Sequence, residues 1–225
     1  RALAGVLGLL MWLGPSSAIA QQDPPPATAP ASDPRLLEEL QQLQHKLEQV
    51  RDLTTKFTQE KHTPLLRKPL VSTGEIRILG KLMRWDTHKP APSVMLISEE
   101  GIRLYYPKQK LLEIYRLDQQ LARLAASPVP RIDVMQEHFA FSRIPASEQG
   151  EAVDGRYLPV RLTPRQQTLA QHIDEVRLLI DRETAYLRQM EMVDTDGDRT
   201  IIRFEDVKLN TGLTQQELTL EPPPG

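Results

Sequence analysis

Imidazole rings are the most versatile reactive groups in this chain, and there are five: His45, His62, His88, His138 and His172. An imidazole binds a metal or moves a proton near neutral pH, but a helical metal site needs two of them at i, i+4. No pair has that spacing, so all five read as surface or ordinarily hydrogen-bonded residues. The run Asp194-Thr195-Asp196-Gly197-Asp198 resembles part of a calcium loop. Such a loop requires a Glu well past its glycine, and Arg203 occupies that place. Asp196-Gly197 between two alternating stretches is instead a tight-hairpin signal. There is no G-x-S-x-G, no glycine-rich phosphate loop, no S-x-x-K and no cysteine. Thiol catalysis, disulfides and Cys-ligated zinc are thereby excluded, and nothing nominates a nucleophile or an acid/base pair. The chain reads as non-enzymatic, with no metal and no cofactor.

What is distinctive is apolar. Large, soft side chains recur at every second position: Met83 and Trp85, Met95 and Ile97, Leu104 and Tyr106, Leu178 and Ile180, Met190 and Met192, Ile202 and Phe204. A period of two places each pair on one face of a strand. Methionine is unbranched and polarizable, and adapts to flexible apolar ligands. These residues form either an ordinary core beneath a helix or, in part, a wall for an apolar guest.

The elements that must position them follow from periodicity. Asp33 is a candidate N-cap with Pro34 at the first helical position. Leu36, Leu40, Leu43, Leu47, Val50 and Phe57 then predict an amphipathic helix of five or six turns, ending near His62-Thr63-Pro64 and packing its leucines on a sheet. Pro64 to Pro69 would join that helix to the first strand, at Ser72. From Ser72 onward about ten short alternating runs, including a last one at Gln216–Pro222, predict an antiparallel meander that curls as it twists. One interval, Arg116–Ser142, carries two helical patterns instead. Leu117, Leu121 and Leu124 make one face and Ile132, Met135 and Phe139 the other, with Pro128 and Pro130 between. The expected lid residues are Leu121, Leu124, Met135 and Phe139. Arg143 to Gly155 reads as a loop.

Residues 1–20 read as a cleavable export signal: Arg1, an apolar run from Ala2 to Leu13, and a small-residue site at Ala18-Ile19-Ala20. Residues 21–32 are a Pro/Ala-rich linker with too little apolar surface to fold. Past residue 20 there are 27 basic and 30 acidic residues. Charge therefore gives no case for nucleic acid or for an anionic membrane surface.

The order of these features resembles the LolA-like family of outer-membrane lipoprotein carriers, over about residues 33–225. The matching elements are Phe57-Thr58-Gln59, Ser72-Thr73-Gly74-Glu75, Met83-Arg84-Trp85 before Pro90, the stretch Ser98 to Pro107, and the terminal Pro-Pro-Pro-Gly. The resemblance implies a mainly β fold with helices (α+β). In it an incomplete antiparallel β-barrel of ten to eleven strands carries an N-terminal amphipathic helix and a helical lid. It also implies a monomeric periplasmic carrier for an acylated lipoprotein or another lipid-linked product. Such a carrier takes cargo from an inner-membrane transporter and passes it to an outer-membrane acceptor. A non-catalytic sensing or interaction module of the same fold, like the RseB-like stress sensors, is the alternative. Where the lipoprotein carriers have a lid-latching Arg-Pro pair between two strands, this chain has Leu79-Gly80-Lys81.

Overall fold

Strands of alternating burial dominate the computed structural model, which describes residues 31–116, 132–148 and 154–220. Eleven strands form one antiparallel sheet: β1 (Asp52–His62), β2 (Leu70–Leu79), β3 (Leu82–Lys89), β4 (Ser93–Ser98), β5 (Gly101–Tyr106), β6 (Leu111–Tyr115), β7 (Phe139–Arg143), β8 (Tyr157–Pro164), β9 (Ile173–Asp181), β10 (Leu187–Asp194) and β11 (Arg199–Leu209). Their order is β6-β5-β4-β3-β2-β1-β11-β10-β9-β8-β7. Two meanders are thus joined by the pairing of β1 with β11, and the edges β6 and β7 do not pair with each other. This is the incomplete barrel that the family resemblance implies, built from the antiparallel meander expected from the alternation and the turns. A register shift between Thr54 and Lys56, opposite Asp206 at φ 52°, is a bulge that bends the central pair.

Helix α1 (Pro34–Lys46) begins as expected: the Asp33 carboxylate accepts the Arg35 and Leu36 amides at 3.0 and 3.4 Å. It ends much earlier than expected. Leu47 caps it, and the chain enters β1 at Asp52. Phe57 matched the helical repeat by coincidence. The β-branched Thr54, Thr55 and Thr58 disfavour helix, and the alternation of buried Thr55, Phe57 and Gln59 with more exposed neighbours is that of a strand. Pro64–Pro69 consequently lies in the β1–β2 hairpin connection, and does not join a helix to the sheet.

Two further expectations are corrected. Ile132 and Met135 do lie on a helix, α2 (Ile132–His138), but Phe139 opens strand β7, where it is buried. Its neighbours Ala140 and Phe141 are also buried, which one helical face cannot achieve but a strand covered on both sides can. Gln215–Leu218 is a 3-10 turn with a Thr214/Glu217 capping box, where a strand was expected. Leu218 is buried in this turn, which lies over β2 and β3, while Leu220 clusters with Leu96 and Tyr105 on the outer face. The Thr219 carbonyl accepts the Arg84 guanidinium. Asp196-Gly197 forms the predicted hairpin turn, closed by Gly197 N–H donating to Asp194 O at 3.0 Å.

Helix α1 lies across the β7–β10 half. Leu36, Leu40, Leu43 and Leu47 share one buried cluster with Phe141, Leu158, Val160 and Leu162. Its C-terminal end is tied to the β9–β10 turn, because Lys46 Nζ donates to Arg182 O at 2.8 Å. That turn is organised by Asp181. One carboxylate oxygen accepts the Glu183 and Thr184 amides and the other the Arg156 guanidinium. Edge strand β7 is partly covered, since Asp33 N–H donates to Phe141 O and Phe141 N–H to Ser32 Oγ. Helix α3 (Gln167–Ala170) is a single turn linking β8 to β9.

Candidate functional site

Cross-strand register decides which side chains share a face. At the centre Phe57 stands between Phe204 and Gly74. Outward through the first meander, Ile76 meets Trp85, Trp85 meets Met95, Met95 meets Leu104, and Met83 meets Ile97. Through the second, Ile202 meets Met190, Met190 meets Leu178, and Ile180 meets both Leu187 and Leu158. Met192 stands opposite Val176. Tyr106 is two positions beyond Leu104 on its strand. With a period of two, all twelve residues singled out in the sequence fall on the same face of the sheet, the one carrying α1.

That face has two parts. Leu178, Ile180 and Met192 belong to the cluster beneath α1. Trp85, Met95, Ile97, Leu104 and Ile202 belong to a second cluster with Phe57, Ile76, Ile78 and Ile102. Met83, Tyr106 and Phe204 are half-buried against it. Met190 packs against both clusters. Among the described residues, no helix contributes to the second cluster. Of the expected lid, Met135 packs on the helix-covered cluster and Phe139 is part of it, while Leu121 and Leu124 lie outside the described residues.

At the heart of the second cluster the Phe57 and Trp85 rings stand 4.6 Å apart at 53°, a tilted aromatic contact. The arrangement needs Gly74. A Cβ there would sit 1.9 Å from the Asp86 carbonyl oxygen and 2.7 Å from the Phe57 ring. Phe57, Leu53, Ile76, Ile78 and Ile102 share this cluster but were not singled out in the sequence. The alternation Leu53-Thr55-Phe57 was available, but the preceding leucine repeat masked it.

Polarity changes along the strands. Gln59, Thr87, Ser93 and Thr200 are buried on this face, all at the end nearest the β1–β2 connection. On the β5–β6 margin, Tyr115 donates its hydroxyl to Glu113 at 3.0 Å. Burial, with the Glu113 charge, pushes the Tyr106 hydroxyl up to about 12. Tyr106 therefore stays a neutral hydrogen-bond donor at neutral pH. Among the described residues no group of His, Asp and Glu is arranged to hold a metal ion. Lys81 pairs with Glu99 at 2.6 Å on the exposed surface.

An apolar face backed by a twisted open sheet, with most of its buried polar residues toward one end, suits contact with a long flexible apolar group. The model of the family described as outer membrane lipoprotein carrier protein LolA matches residues 48–220, and the chain belongs to that family. It is 29% identical over 188 residues to a Pseudomonas paraeruginosa protein named outer-membrane lipoprotein carrier protein, covering 83% of this chain and 85% of the relative. A protein of the same name from Dechloromonas aromatica is 28% identical over 186 residues, with 82% and 84% covered. A solved structure of an uncharacterized conserved protein from Thermus thermophilus has the same fold, with a TM-score of 0.54 at 15% identity over 84% of this chain and 95% of that one.

Proposed function

We propose that this protein is a non-catalytic periplasmic carrier that shields the acyl chains of a lipoprotein or other lipid-linked product against its second apolar cluster. In this reading it receives cargo from an inner-membrane transporter and delivers it to an outer-membrane acceptor. The observation that carries the proposal is the division of the apolar face. One half is filled by α1 and serves as core. The other half gathers Trp85, Met95, Ile97, Leu104 and Ile202, themselves buried, inside a rim of half-buried Met83, Tyr106 and Phe204, with no helix contributing among the described residues.

The energetics suit a shuttle. Each buried methylene contributes roughly 0.8 kcal/mol, so an acyl chain cannot cross water unshielded. A wall without directional hydrogen bonds retains such a chain without fixing its register. Membership in the lipoprotein carrier family supports the same reading. Protein purified from its native host and analysed by mass spectrometry of extracted lipid should carry acylated species, and should bind a fluorescent long-chain fatty acid that those species displace. A lipid-free preparation that ignores the probe would sink the proposal. The headgroup on the recovered species separates lipoprotein from other lipid-linked cargo.

A further inference from the structure

The β1–β2 connection and the start of β2 gather exposed apolar residues beside exposed cations. Six large apolar residues are exposed among the described residues, and four of them lie here: Leu65 at 92%, Leu66 at 46%, Leu70 at 41% and Val71 at 48%. Between them stand Arg67 and Lys68, both exposed, and no ion pair or hydrogen bond engages either among the described residues. Residues 61–74 include Lys61, Arg67 and Lys68 but no acidic residue, in a chain with 30 acidic residues overall. The shape is fixed locally. Thr63 O accepts the Leu66 amide at 3.1 Å with Pro64 at the second turn position, so the turn holds Leu65 out at its apex. Beneath the apex a cleft of about 390 Å³ is lined by His62, Arg67, Lys68 and Arg199 among others.

We propose that this hairpin tip docks on the surface of an anionic phospholipid bilayer, its leucines entering the interface and Arg67 and Lys68 engaging lipid phosphates. Leucines beside unpaired cations are the combination that binds there: apolar insertion and headgroup attraction add, and each nearby cation contributes on the order of 1 kcal/mol. The arrangement favours a fluid phase over a protein groove. Leu70 and Val71 are consecutive strand residues and point to opposite faces of the sheet, so the apolar surface surrounds the tip. A bilayer encloses such a tip; a groove contacts one side. Residues 61–74 contain no acid, and the Asp198 carboxylate of the β10–β11 turn is taken up by Lys61 at 2.9 Å, which leaves Arg67 and Lys68 as the local charge despite the molecule's net negative charge. The same end of the sheet holds the polar end of the apolar face, because Gln59 pairs with Ser72 and Lys61 with Leu70. Docking would bring that end to the bilayer.

The test uses vesicles, and is independent of cargo binding. The chain has no cysteine, so Leu65→Cys carries an environment-sensitive fluorophore at a single place. Vesicles of phosphatidylglycerol and phosphatidylethanolamine should shift its emission to the blue and carry the protein in flotation, while phosphatidylcholine vesicles should not. Leu65→Ser/Leu66→Ser should abolish flotation, and Arg67→Ala/Lys68→Ala should weaken it roughly 30-fold, both with unchanged circular dichroism. Millimolar inorganic phosphate should not displace the protein. No flotation of the wild-type protein, flotation indifferent to these substitutions, displacement by free phosphate, or capture of an acidic protein in place of vesicles would each overturn the proposal. A protein that binds the fatty-acid probe but not vesicles would retain the carrier reading and lose this one.

Discussion

The two halves of the apolar face are built from the same strand pattern and covered differently by the described residues. In the β7–β10 half, α1 delivers four leucines onto the sheet, and Leu36, Phe141, Leu158 and Val160 are completely buried. In the other half Ile97, Ile102, Leu104 and Ile202 are buried as deeply, but the described residues supply no helix there, and the margin is half-buried Met83, Tyr106 and Phe204. The difference teaches that alternation alone does not tell which element of the chain packs on a face.

Charging one residue in each half puts this to the test. Ile180→Asp, beneath α1, places an unpaired carboxylate among leucines and should cost about 4 kcal/mol or more, read as a large fall in the denaturation midpoint. Met83→Glu, at the half-buried margin, should leave the midpoint nearly unchanged and weaken fatty-acid probe binding at least tenfold. Equal stability losses at the two sites would erase the distinction. A smaller effect concerns pH. Burial disfavours the Asp181 carboxylate, but Arg156 and the Thr184 and Glu183 amides outweigh it and hold its pKa below the ordinary 3.8. A depressed folded-state pKa stabilises above the unfolded value, and that stability is lost as pH falls through the folded one. Denaturant titrations from pH 7 down to about 3 should show Asp181→Asn less stable at neutral pH, with a shallower decline below about 4. Lys81→Ala should do least. Its pair with Glu99 is exposed, so stability should move within about 0.5 kcal/mol. Probe binding should not move, because the ammonium is occupied away from the apolar face.

Much of this was legible in the residues. The Asp33-Pro34 start, most strands, and the shared face of the twelve alternating apolar residues all follow from spacing and turn chemistry. Two of the errors share a cause. Phe57 and Phe139 each continue a helical repeat into a strand, where hydrophobic spacing satisfies both periods for a few residues. The twofold division of the face was not legible, because it depends on where α1 comes to rest and no local pattern encodes that. Nor did a balanced overall charge reveal that the β1–β2 tip is locally basic and apolar.

The joining of the meanders through β1 and β11 has a consequence for how the molecule comes into being. Every other strand pair is a neighbour in sequence, whereas Phe57 and Phe204 must meet across most of the chain. Local hairpins form in microseconds, but closure of so long a loop is slow and yields no contact until it is complete. Until β1 and β11 zip together, each meander exposes a central edge of eleven residues and half of an apolar face. A newly made chain is therefore most adhesive just before it is finished, and a chaperone that holds it apart from its neighbours should raise its yield most in that interval.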